Sequence, residues 1–138
     1  MEHIILSDGE WKIMKLLWRK SPRSLREITV ALETETGWTR QTIHVMLKRL
    51  TTKRAVRVDE TVRVHGYYPL ITRKDVAPEE TESFLNRVYD GSIGLLFTAL
   101  TENKALSDKD IAELRQILDN AEKKRKELSM IEYLLSLS

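Results

Sequence analysis

Residues 37–58 read GWTRQTIHVMLKRLTTKRAVRV, and the reading of this stretch decides the fold. Thr39 is a natural helix cap. Behind it Ile43, Met46, Leu47 and Leu50 fall at i, i+3, i+4 and i+7, the spacing of one buried helix face. On a wheel of about 100° per residue the opposite direction holds Gln41, Val45, Lys48 and Thr52, with His44 and Arg49 on the flanks. From Thr36 to Val58 there is no acid, while Arg40, Lys48, Arg49, Lys53, Arg54 and Arg57 all lie within those bounds. A helix that needed only solubility would carry both signs of charge. This one is dressed to approach a dense line of negative charge.

Past Lys53 the period changes from helical to alternating. In AVRVDETVRVHGYYPLI, residues 55–71, Val56 and Val58, then Val62 and Val64, fall on one face of two expected strands, with Arg57, Arg63 and His65 on the other and Asp59, Glu60 and Thr61 as the turn. Upstream, Ser7 with Glu10 and Ser24 with Glu27 each pair a hydroxyl with an acid three residues later, which predicts two helix starts. The first helix shows Trp11, Ile13, Met14, Leu17 and Trp18 as a wide apolar stripe ending near Lys20. The second, from Ser24 to about Glu35, buries Leu25, Ile28 and Leu32 and stops at Gly37.

Three helices followed by a two-stranded ribbon is the order of a winged helix-turn-helix, here in a mainly α chain with one small β-hairpin. In that arrangement the third helix, at about 39–53, fits the DNA major groove, and the wing, at about 55–70, reaches beside it. Thr39, Thr42 and the amides at the start of the third helix are placed to hold phosphate. Gln41, His44, Val45 and Lys48 are placed to touch base edges. Arg49, Lys53, Arg54, Arg57 and Arg63 mainly add affinity that does not depend on sequence, and Arg40 is a further DNA-binding residue.

The rest of the chain bounds the reading. Residues 1–73 hold 14 Lys+Arg against 8 Asp+Glu, and residues 74–138 hold 9 against 13, so a front half of +6 is followed by a rear half of −4. This split separates a DNA-binding domain, 1–73, from a helical dimerisation domain, 74–138. In the rear half Pro78 suits a helix's first turn, a short helix covers about Ser92 to Glu102, and Ser107 with Asp110 opens a last helix. That helix sets Ile111, Leu114, Leu118, Ala121 and Leu128 on heptad-like positions, with Arg125 where an apolar residue is expected. Val88, Leu96, Phe97, Leu100, Ile111, Leu114 and Leu118 are the expected dimerisation residues.

Several function classes are excluded. The chain has no cysteine, its three histidines lack metal-ligand spacing, and no glycine-rich phosphate loop is present, so neither an enzyme nor a cofactor or metal site is expected. The start lacks a signal peptide, and the longest apolar run, Ile93 to Leu100, is far below the roughly 20 residues that span a bilayer. A cytoplasmic protein is expected. Two other readings stay open: a winged-helix regulator that senses a small molecule between aromatics such as Trp11, Trp18, Tyr89 and Phe97, and a winged helix that serves as a protein-interaction module.

The runs LSDGEWKIMKLLW (6–18), GWTRQTIHVMLKRL (37–50), GYYPL (66–70), FLNRVYDGS (84–92) and LSDKDIAELRQIL (106–118) together resemble the penicillinase and methicillin-resistance repressor family of bacterial regulators. The resemblance implies a winged helix joined to interlocking dimerisation helices, a palindromic operator as partner, and control of antibiotic-resistance or stress genes. Trp38, Thr42, Ile43, Arg49 and Leu50 match the family's recognition helix, whereas Gln41 and His44 replace basic residues of the resistance repressors. It also implies a sensor protease that cuts an Asn-Phe bond in the dimerisation segment. The matching place here is Ala99-Leu100, which has neither residue. A copper-responsive branch carries a cysteine cluster that this chain lacks, and residues 121–138 run past the family's usual end.

Overall fold

The computed structural model describes residues 3–103 and 106–138. Their elements are α1 (Asp8–Arg19), α2 (Leu25–Thr36), α3 (Arg40–Thr52), β1 (Val56–Asp59), β2 (Gly66–Pro69), α4 (Arg73–Tyr89), α5 (Ile93–Asn103) and α6 (Asp108–Ser136). The contacts divide the chain into two compact units, Met1–Phe84 and Leu85–Ser138. That division lies within α4, downstream of Arg73, because Val76 is buried in the core of the front unit.

All three expected capping boxes form. Ser7, Ser24 and Ser107 accept the amides of Glu10, Glu27 and Asp110, and each acid accepts the cap residue's own amide in return. α2 ends on Gly37 at φ 67°, a left-handed conformation that costs a residue with a Cβ. Nothing lies within 4 Å of where that Cβ would be. The cost of Gly37→Ala is therefore conformational alone, an expected loss of about 1 kcal/mol in urea denaturation.

The front core is built from the predicted faces. Ile13, Met14 and Leu17 of α1, Ile28 and Leu32 of α2, and Ile43, Met46, Leu47 and Leu50 of α3 meet Val56, Tyr67 and Ile71. Gly9 makes the start of α1 thin enough to pack on α3, since a Cβ there would meet Met46 Sδ at 3.0 Å and Trp38 Cη2 at 3.1 Å. Trp18 donates from Nε1 to the Ile71 carbonyl at 2.7 Å, tying α1 to the chain behind the ribbon.

Two expectations are corrected. The second strand is not at Val62 and Val64, which stand exposed at 49% and 66%, but at Gly66–Pro69, antiparallel to β1 with Val58 opposite Tyr67. Tyr67 supplies the buried position, and its backbone exchanges hydrogen bonds with Arg23 on the edge away from β1, at 2.9 and 3.2 Å. A strand with partners on both edges and a buried aromatic is anchored more firmly than two valines at a loop tip. Residues 60–65 therefore form the wing loop, opened by Asp59, whose Oδ1 accepts from the Thr61 amide at 3.0 Å and its hydroxyl at 2.6 Å. These bonds to Thr61 hold the Asp59 carboxyl below its ordinary range.

The second correction concerns Pro78, which lies inside α4 rather than in its first turn. The helix begins earlier because the Thr72 amide donates to Asp75 Oδ2 at 2.7 Å, half of the same box that starts α1 and α2.

In the rear unit α5 and α6 bury no residue. Phe97, Leu100, Leu106, Leu114 and Ile117, with Asp110 and Glu113, line a groove of about 280 Å³ between them. Leu96 is half-buried, while Val88, Ile111 and Leu118 are exposed. The Ala99-Leu100 bond lies within α5, where the Ala99 carbonyl also accepts from Asn103 Nδ2 at 3.0 Å.

Candidate nucleic-acid interface

α3 is held by its buried stripe against α1 and α2, which fixes what it shows to solvent. Arg40, Gln41, Thr42, His44, Val45, Lys48 and Arg49 are all exposed, and none of them is in an ion pair among the described residues. Val45, at 49% exposure, is the one apolar side chain on this face. Thr39 is used as the N-cap: its Oγ1 accepts from the Thr42 amide at 3.2 Å and lies 3.1 Å from the Thr42 hydroxyl. If Thr42 donates across that gap, the Thr39 hydroxyl proton is left to donate outward, beside the open amides of the first turn. The end of α3 thus offers outward donors at the positive end of a helix dipole.

The wing folds back beside this end of α3. Arg63, Val64 and His65 from the loop, Arg40 and His44 from α3, and Arg26 from α2 line one cleft of about 420 Å³ that has no acidic residue in its wall. Three guanidiniums and two imidazoles from three elements thus line one cleft. Arg57, on the exposed face of β1, has its guanidinium 4.2 Å above the Tyr68 ring of β2, a stacking that fixes the charge on the face of the ribbon.

Arg26 was missed from the sequence, although a signal was there. It sits in the first turn of α2, where the helix dipole favours an acid, so a cation at that position is out of place for stability alone.

Lys53 moves the other way. Expected to add affinity that does not depend on sequence, it has its Nζ 2.6 Å from Glu10 Oε1 and 2.8 Å from the Ile5 carbonyl. Glu10 is 1% exposed. Burial pushes its carboxyl up, yet the Lys53 ammonium and the Ser7 hydrogen bonds outweigh that, leaving it below its ordinary value. This cation therefore clamps the end of α3 to α1.

Among the described residues no cluster of His, Cys, Asp or Glu could hold a metal ion, and no helix is long and apolar enough to cross a membrane.

Comparison with known proteins gives a consistent result. The penicillinase repressor family model matches residues 6–120. The penicillinase repressor of Bacillus licheniformis is 35% identical over 122 residues, covering 88% of this chain and 95% of that protein. The methicillin resistance regulatory protein MecI of Staphylococcus aureus is 29% identical over 114 residues, covering 83% and 93%. Among solved structures, the B. licheniformis BlaI monomeric form in complex with the blaP half-operator is 33% identical, covering 52% of this chain and 88% of that one with a TM-score of 0.47. With its three helices, its ribbon and a family match running from the first helix into α6, the chain belongs to the penicillinase repressor family and is a winged-helix transcriptional repressor.

Proposed function

We propose that the protein represses transcription as a cytoplasmic homodimer on a palindromic operator, with α3 in the major groove of each half-site and the wing loop on the adjoining phosphates. The observation that carries this reading is the acid-free exposed face of α3, continued by the cleft in which Arg26, Arg40 and Arg63 converge. Phosphate contacts set the position and account for most of the affinity, while base contacts select the sequence. Gln41 suits adenine, Lys48 suits guanine and Val45 meets a thymine methyl.

The homodimer is supported by α5 and α6, in which no described residue is fully buried. Helices with such faces need cover in water. Two copies would present two α3 helices to half-sites about one helical turn apart, and the operator's symmetry would follow from the dimer's.

No catalytic step belongs to this reading. A sensor protease acting at Ala99-Leu100 has no support here, since the bond lies within a hydrogen-bonded helix and lacks the Asn-Phe pair.

Selection of genomic fragments with the purified full chain tests the proposal. Enrichment of an inverted repeat with half-sites about 10 base pairs apart, or a multiple of that, is the expected result. Fragments without a shared symmetric element would contradict it. Within that experiment the phosphate cleft has its own signature. Arg26→Ala with Arg63→Ala should weaken binding to selected and random duplexes alike, and should lower the slope of log K against log salt by about 2, close to 0.9 for each lost contact.

A further inference from the structure

The family match ends at residue 120, yet α6 continues without a break to Ser136. Seven of the ten residues from Leu128 to Leu137 are apolar, and each is between 52% and 67% exposed. Cover for this segment has to come from outside the chain's own contacts.

The heptad positions of α6 are Ile111, Leu114, Leu118, Ala121, Arg125, Leu128, Glu132 and Leu135. Two α6 helices paired in parallel and in register would set Arg125 on Arg125 and Glu132 on Glu132, like charges in the seam. Paired antiparallel about residue 123, each position i faces position 246 − i of the second copy. Ile111 then faces Leu135, Leu114 faces Glu132, Leu118 faces Leu128, and Ala121 faces Arg125.

The antiparallel register separates both like-charge pairs. Ala121 is small enough to let the Arg125 stem lie across it, with the guanidinium directed outward. Lys124 faces Glu122, so the run from Lys123 to Lys126 meets Asn120, Ala121 and Glu122 of the second copy, and only Lys123 meets its own counterpart. The same four cations occupy successive 100° steps around the helix, so they do not form the one-sided polar face that a membrane-surface helix needs.

We infer that residues 121–137 are a second dimerisation segment, which pairs antiparallel with residues 109–125 of a second copy's α6 and covers Ile111 and Leu118 from outside. This rests on the homodimer reading and adds to it a register and a role for the tail beyond the family match.

The absence of cysteine makes the test clean. Ile111→Cys with Leu135→Cys in the full chain places two thiols 24 residues apart on one helix, about 36 Å, so a disulfide can form only between chains. Mild oxidation should give covalent dimers from this variant and from Leu118→Cys with Leu128→Cys, while Leu135→Cys alone stays unlinked. Efficient linking of Leu135→Cys alone would mean a parallel pair and overturn the inference. A dimer by sedimentation velocity that links in neither double variant would place the tail outside the interface, overturning the inference while leaving the homodimer intact. A full chain that sediments as a monomer at about 10 μM would remove both readings.

Discussion

Lys53→Ala should cost the front unit about 3 kcal/mol in urea denaturation at pH 7, more than the loss of any cation on the exposed face of α3. Among the described residues the ammonium is the only cation bonded to Glu10, whose carboxylate is almost wholly buried and whose Oε2 has no hydrogen-bond partner. Removing one member of such a pair leaves a charge in the core with little to offset its desolvation, an effect of about 3–5 kcal/mol. Lys53 itself is 35% exposed on its side chain, which places the expectation at the lower end. An exposed cation such as Lys48 should change stability by no more than about 0.5 kcal/mol.

The same pair predicts a pH dependence. The folded Glu10 carboxyl lies below its ordinary value of 4.5, so the stability it contributes is fully present above that value and is lost as pH falls through the lower folded value. In Lys53→Ala the unpaired carboxyl is pushed up by burial and takes its proton earlier. The gap in stability between the two proteins should therefore be widest near neutrality and narrow below pH 4.5. A gap that stays constant from pH 7 to pH 3 would mean that the contact contributes packing rather than charge.

The second large effect concerns selectivity. Gln41→Ala with Lys48→Ala should reduce affinity for the selected operator by about 100-fold or more, because two base-edge contacts are each worth about 1–3 kcal/mol of discrimination. Affinity for a random duplex should fall by less than tenfold, since only one positive charge is removed and the guanidiniums of the wing cleft remain. The salt slope should drop by no more than about 1. Equal losses on the two duplexes would move both residues into the class of phosphate contacts.

What could be read from sequence follows from how local each feature is. The boxes at Ser7, Ser24 and Ser107 are decided within four residues, and each forms as expected. Thr72 with Asp75 uses the same spacing but was hidden by Pro78, whose preference for a first turn pointed to a later start. The wing strand was misplaced because Val62 and Val64 alternate as a strand would, whereas the deciding interactions, burial of Tyr67 and its backbone bonds to Arg23, join segments more than 40 residues apart. For the same reason Lys53 looked like one more surface cation. Its partner lies 43 residues earlier, on another helix.

The candidate interface divides along the same line. The α3 face was legible because one helix carries it, and periodicity alone sets which side is buried. The cleft was not, since Arg26, Arg40 and Arg63 come from three elements whose approach depends on the fold of the wing.

Fluorescence anisotropy can decide whether α3 and the wing read a symmetric operator. The full chain would be titrated onto the best selected palindrome and onto a random duplex of equal length across a salt series. The expected result is a preference for the palindrome of roughly a thousandfold or more, with affinity for both falling steeply as salt rises. Weak and similar binding to the two duplexes at every salt concentration would contradict it.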